Sequence, residues 1–293
     1  DMMTLYPLDF EEFLMALGKS DLIALIREYY KTQEEFPFHE MAMDLYRTYL
    51  VVGGMPAAVS DYIENQDFNF VLSVQKTIND SYIADMAKYA IATETVKIMA
   101  SYQSIPAQLA KENKKFQYKV IKSGARAHEY ELSISWLNST GVITRVNKVR
   151  EGSSPLIAFV EYDSFKVYQT DVGLLFSKFG FPADKILHAD PSLNSIKGTL
   201  TENYVAAALV CDEYTPYYWE SNGQAEVDFV IQDRQGNVIP IEVKAADNVR
   251  AKSLGVFIKK YSPPYAIRIS SRNFGFENNI KSIPLFAVFC INE

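Results

Sequence analysis

The chain is poor in the residues that build thiol, zinc and membrane chemistry. It holds two cysteines, Cys211 and Cys290, and three scattered histidines, His39, His128 and His188, in 293 residues. Neither set has ligand spacing, which argues against a zinc site and a disulfide framework and makes a reducing, cytoplasmic compartment the expectation. No apolar run approaches the roughly 20 residues that cross a bilayer. Asp1 to Asp9 carries no basic n-region, so no signal peptide is expected. Positive charge is also short overall: the net charge of −7 argues against a generic nucleic-acid coat. What remains, at 48% hydrophobic and 22% charged residues, is an ordinary globular composition, long enough for two or three domains.

The charge is unevenly spread. Residues 111–150 hold nine bases (Lys111, Lys114, Lys115, Lys119, Lys122, Arg126, Arg145, Lys148 and Arg150) against Glu112, Glu129 and Glu131. A patch of this kind fits a polyanion-binding face, and it equally fits a solvated helical surface. The first ninety residues are acidic and read as helices throughout. Leu8, Phe10, Phe13, Leu14 and Leu17 recur at helical spacing; Gly18 stops that helix and Ser20 opens the next, to Lys31. Further helices are expected over 38–52, from Pro56 to about Asn65, and over 67–88.

From residue 91 the character changes. Helices are expected over 94–102, 107–112 (opened by Ser104-Ile105-Pro106) and 126–139, followed by β-like runs at 142–149 and 155–160. Three short helices and a β-ribbon outline a winged helix-turn-helix, with Lys114, Lys115, Lys119, Lys122 and Arg126 placed to contact nucleic acid. A helical bundle with a hairpin is an equal reading. The remainder, 161–293, reads as mixed α and β: a strand at 165–168, a helix from Asp171, a loop at 192–198, a helix at 200–210, strands near 216–220, 226–232, 237–244, 266–270 and 283–291, and a helix at 253–261. The expected division is thus 1–90 helical, 91–160 winged-helix-like and 161–293 α/β, an α+β multidomain chain with a mixed central sheet.

Acids in apolar strands are costly to bury alone. Glu202 lies in the predicted helix, Asp228 in Glu226-Val227-Asp228-Phe229-Val230, and Glu242 and Lys244 in Ile241-Glu242-Val243-Lys244. Strand residues two apart share a face, so Glu242 and Lys244 point together, and Glu226 joins Asp228 as a secondary acid. Hard oxygen donors suit Mg2+ or Mn2+. Asp228 and Glu242 could hold the metal, Glu202 could extend it, and Lys244 could orient water or stabilise a phosphodiester transition state. Taken singly, each residue has an ordinary alternative as half of a surface ion pair.

The runs Lys197-Gly198 through Glu202-Asn203-Tyr204-Val205, Tyr218-Trp219, Glu226 to Val230 and Ile241 to Ala245 together resemble the DUF4143 domain, which is similar in fold to the PD-(D/E)xK, restriction-endonuclease-like nucleases. Tyr130-Glu131-Leu132-Ser133, Phe165-Lys166-Val167-Tyr168, Asp171-Val172-Gly173-Leu174-Leu175 and Gly53-Gly54-Met55-Pro56 match the same family. Leu5 to Leu14 resembles the end of the ATPase core in AAA-type proteins that carry DUF4143. The resemblance implies a nuclease-type catalytic set of Glu202, Asp228, Glu242 and Lys244. It also implies a chain that begins just after a nucleotide-binding core, with ATP a cofactor of the parent protein only. Gly18-Lys19-Ser20 is like a P-loop tail, but Phe13 stands where the loop needs glycine, so this chain is not expected to bind ATP. The expected function is nucleic-acid interaction, DNA first, with Mg- or Mn-dependent phosphodiester hydrolysis. The alternative is a non-catalytic nucleic-acid- or protein-binding module on a relic nuclease fold, with a protein partner or a homo-oligomer as the assembly.

Overall fold

The computed structural model describes residues 4–89, 92–188, 191–221, 225–245 and 252–292. The N-terminal helices are α1 (Phe10–Ala16), α2 (Ser20–Thr32), α3 (His39–Val52), α4 (Pro56–Asn65) and α5 (Phe68–Tyr89). They follow the apolar periodicity closely. Asp9 and Glu12 form a reciprocal capping box at the start of α1, and Gly18, at φ 70°, turns the chain into α2.

Next come α6 (Ala92–Leu109), the one-turn α7 (Tyr118–Ile121), α8 (Ala127–Ser139), β1 (Ile143–Val149) and β2 (Val160–Gln169). The two helices expected around Ser104-Ile105-Pro106 are one. Tyr102, Ile105 and Leu109 are all buried and lie on one continuous stripe, so packing carries α6 through Pro106 despite the missing N–H. The ribbon differs as well. Residues 156–159 form a 3-10 turn, and the second strand begins at Val160 and absorbs the expected strand at 165–168. The expected junction at 160/161 therefore falls inside β2.

The chain continues through α9 (Val172–Phe179), α10 (Asp184–Leu187), α11 (Asn194–Cys211), β3 (Tyr217–Ser221), β4 (Ala225–Gln232), β5 (Val238–Lys244), α12 (Lys252–Tyr261), β6 (Ala266–Ser270), β7 (Gly275–Glu277) and β8 (Ile280–Pro284). The segment 194–198, expected as loop, is the first turn of α11. The apolar run 285–290, expected as strand, is 3-10 helix; a short, wholly buried run has no periodicity to separate the two.

The strands form a single mixed sheet in the order β2-β1-β3-β4-β5-β6-β8-β7. The α+β class is as expected, but β1 pairs in parallel with β3, so the ribbon is the continuation of the main sheet. One large core runs from Phe10 and Phe13 through α3, α9 and α11 to Phe286 and Val288. A smaller one packs Val149, Trp219, Val227 and Val230 against Phe257 of α12. Among the described residues, no helix is long and apolar enough to cross a membrane.

Two segments from the sequence motifs lock together. The Asp171 carboxylate, at the α9 N-cap, accepts hydrogen bonds from Gly54 N (2.6 Å) and Leu174 N (2.8 Å). Burial pushes its pKa up to about 6, with the backbone N–H groups opposing. The approach requires glycine: a Cβ on Gly54 would stand 1.9 Å from Leu8 O, and one on Gly173 would stand 2.5 Å from Val52 O. Gly54→Ala is therefore expected to cost more than about 3 kcal/mol, read as a lower urea midpoint at unchanged slope. Gly255→Ala, in α12 with nothing within 4 Å of the new Cβ, should hold or raise the midpoint.

Candidate functional site

The predicted residues arrive on three elements: Glu202 on α11, Glu226 and Asp228 on β4, and Glu242 and Lys244 on β5. Strand β4 is irregular at this point. Tyr217 pairs with Val230 and Trp219 with Val227, so Asp228 and Phe229 together face Tyr218. This bulge inserts one residue and shifts the pleat, which lets Val227 and Val230 enter the smaller core while Phe229 enters the larger one. The β4–β5 ladder stops at Phe229–Ile241. Beyond it the Asp228 carboxylate takes the place of a ladder carbonyl, accepting from Val243 N at 2.8 Å. On β5, Ile241 and Val243 point into the large core, and Glu242 and Lys244 alternate with them.

Lys244 joins the two strands. Its Nζ is 3.1 Å from Glu242 Oε1 and 3.9 Å from Asp228 Oδ2. The second Glu242 oxygen, Oε2, is buried without a hydrogen-bond partner. Burial lowers the affinity of Lys244 for its proton, but Asp228 and Glu242 outweigh it and the pKa is raised. Burial, together with the charge of Glu202, lifts the Asp228 pKa to about 6; Lys166 and Lys244 pull against this without cancelling it.

Glu202 is differently placed. Its carboxylate is held by Lys114, by Lys166 Nζ at 3.2 Å and by the Tyr168 hydroxyl at 2.5 Å. Lys166, only 1% exposed, also reaches Glu226 Oε1 at 2.6 Å. Burial pushes the Glu202 carboxyl up, yet Lys166 and Lys114 more than reverse this and bring it down to about 2. Lys166 is in turn raised well above the ordinary lysine value: burial opposes the charge, and Glu202, Tyr168 and Glu226 outweigh burial.

The cluster thus contains four carboxylates (Glu202, Glu226, Asp228 and Glu242) and three ammonium groups (Lys114, Lys166 and Lys244). Among the described residues, no three acid, histidine or cysteine side chains stand together as a ready metal cage. Asp228 and Glu242 nevertheless fit a hard divalent cation. One has a buried, unpaired oxygen and the other an undercompensated charge, and Mg2+ commonly takes one or two carboxylates with water and substrate oxygens filling the rest. Glu202 fits such a cation poorly, because both of its oxygens already bind cationic or hydroxyl donors.

Lys166 and Tyr168 were given no role from sequence. The available signal was a lysine within an apolar strand, two residues from a tyrosine and so on its face. Of the basic residues expected on nucleic acid, Lys114 is taken up by Glu202. Lys119, Lys122 and Arg126 are exposed around α7 and Lys115 is half-buried. Arg145 and Lys148 are paired with Glu131 and Glu161. The outer face of α8 carries His128, Glu129, Leu132 and Ser135 and is not basic.

Residues 197–288 match DUF4143, a domain of unknown function, and all four members of the predicted catalytic set fall within that span. Residues 43–185 match DUF8612, also a domain of unknown function, a span that crosses both the 90/91 and 160/161 junctions. No curated protein and no solved structure matches the chain.

The Glu202 cluster has a pH signature. Its folded pKa of about 2 lies below the ordinary glutamate value of 4.5, so its stabilising contribution is present above pH 4.5 and is lost as pH falls towards 2. Asp228, raised from 3.8 to about 6, has the opposite sign: its contribution is present below 3.8 and is lost as pH rises through 6. Glu202→Gln should flatten the loss of stability between pH 4.5 and 2. At pH 7 it should cost about 3 kcal/mol by leaving Lys166 undercompensated, both effects being measured by urea unfolding across pH.

Proposed function

We propose that the chain acts on nucleic acid through a restriction-endonuclease-like site. In this reading Asp228 and Glu242 take Mg2+ or Mn2+, and Lys244 steadies the attacking water or the charge that develops on the phosphate. When bound, the metal would supply a water of lowered pKa and neutralise phosphate charge. Glu202 holds Lys166 and Lys114 in place and acts as a positioning residue. The observation that carries the reading is the meeting of Asp228, Glu242 and Lys244, with a buried Glu242 oxygen left unpaired.

Lys115, Lys119, Lys122 and Arg126 supply the phosphate contacts. Their segment begins beside the site, since Lys114 is bound to Glu202. Under the same proposal, α6, α7, α8 and the β1–β2 ribbon act as a winged-helix-like binding unit, and the chain is the C-terminal part of an AAA-type ATPase.

The test is cleavage of supercoiled plasmid and single-stranded DNA with Mg2+ or Mn2+. Wild type should cut, and Lys244→Ala and Asp228→Asn should each lose about 100-fold or more. Equal rates for wild type and Lys244→Ala would remove the catalytic claim.

A second reading, a non-catalytic binding module, is favoured by one observation: three cationic side chains already stand among the four acids. It forecasts no calorimetric signal with millimolar Mg2+ or Mn2+, while DNA binding persists and weakens steeply with salt. Substituting Lys119, Lys122 and Arg126 together should then reduce the slope of log affinity against log salt by about 3. A salt-independent result would point to a protein partner instead.

A further inference from the structure

A cleft of about 650 Å³ opens between α5, α6 and the end of α9, far along the chain from the acid–lysine site. Its lining residues run from Asn69 to Pro182, so it lies wholly within the DUF8612 match. The volume is in the range of small-molecule sites. One wall is apolar, with Leu72, Ile83, Pro106 and Phe181, and the polar lining includes Lys76, Asn79, Asp80, Gln103 and Lys178.

Beneath the cleft runs a chain of neutral hydrogen bonds. The Tyr102 hydroxyl donates to Asn79 Oδ1 (2.6 Å) and accepts from Gln169 Nε2 (3.0 Å), and Asn79 Nδ2 donates to Ser177 Oγ (3.0 Å). Lys178 completes it: its Nζ donates to Gln169 Oε1 at 3.0 Å and lies 3.1 Å from the centre of the Tyr102 ring. An amide oxygen and an aromatic face are weak partners for a half-buried ammonium group, and no carboxylate among the described residues pairs with it. The buried acid at the N-cap of the same helix, Asp171, is committed to backbone N–H groups. The other titratable groups lining the cleft are Lys76 and Asp80 of α5 and Tyr102 of α6, whose ring Lys178 overlies. None of them offsets burial, which alone brings the Lys178 pKa down to about 6.

A lysine at a roomy cleft with no carboxylate partner among the described residues is suited to receive an anion. We propose that this cleft binds a small organic anion, its carboxylate or phosphate group on Lys178 and its apolar body against Leu72, Ile83 and Phe181. The amine is held towards its uncharged form by burial. It takes a proton from solvent as the anion enters, and the ligand itself is unchanged. The site is independent of the nuclease-like reading, and either can fail without the other.

The test is calorimetry of the whole chain with phenyl phosphate at pH 7.5, in two buffers of different ionisation enthalpy. Wild type should bind with uptake of about one proton per ligand. Lys178→Met, which keeps the side-chain bulk, should bind at least about tenfold more weakly, and Lys178→Arg, charged at all times, should bind without proton uptake. Inorganic phosphate, lacking the apolar body, should bind more weakly than phenyl phosphate. No binding by wild type up to about 10 mM, binding without proton uptake, or equal binding by Lys178→Met would each overturn the proposal. The proton count needs no variant, so it stands even if a substituted chain fails to fold.

Discussion

The structure is arranged around one buried acid. Glu202, on α11, has its charge balanced by Lys114 from the segment after α6 and by Lys166 from β2, with the Tyr168 hydroxyl as a third donor. All three donors belong to the span that matches DUF8612, and Glu202 belongs to the DUF4143 match. The two are joined by the β1–β3 pairing and also by charges that neither part could bury alone. An ammonium group as enclosed as Lys166 is tolerable only with paired carboxylates, and it has Glu202 on one side and Glu226 on the other. Asp228 is drawn into the same field: burial raises its pKa first, and repulsion from Glu202 adds to it.

This constraint orders the candidate site. Once Lys114, Lys166 and Tyr168 occupy Glu202, its work is to fix lysines and, through them, the position of β4 relative to β2. Asp228, Glu242 and Lys244 meet beside Glu202, where a bulge re-aims Asp228 and a buried oxygen of Glu242 has no hydrogen-bond partner. The same logic separates Lys178 from this cluster. It is a half-buried lysine with no carboxylate partner among the described residues, and the two lysines are displaced in opposite directions from the ordinary value.

Much of the site was legible in the chain itself. Glu242 and Lys244, two apart in an apolar strand, had to share a face, and they do meet through an ion pair. The order of Glu on a helix, Asp on a strand and Glu-x-Lys on the next strand is realised as α11, β4 and β5. The Gly53-Gly54 and Asp171-x-Gly173 motifs, far apart in sequence, prove to be two sides of one close backbone contact. Less legible was anything whose cause lies in another element. Pro106 reads as a helix start, yet the buried stripe of Tyr102, Ile105 and Leu109 carries one helix across it. Lys114 reads as a surface base among eight others, and only the fold brings it to Glu202.

What the sequence determined by itself was local. Periodicity placed most of the helices, alternation placed Glu242 with Lys244, and glycines marked the turn after α1 and the end of α3. These follow from backbone geometry and near-neighbour spacing, which a single chain carries in full. What the tertiary structure alone decided was the pairing of charges and the continuity of the sheet: Lys166 between Glu202 and Glu226, the β4 bulge at Asp228, and the ribbon joined to β3. Those outcomes depend on which desolvated groups meet across long sequence separations. The free energy of burying a charge is set by the partner it finds, and no local pattern encodes that partner.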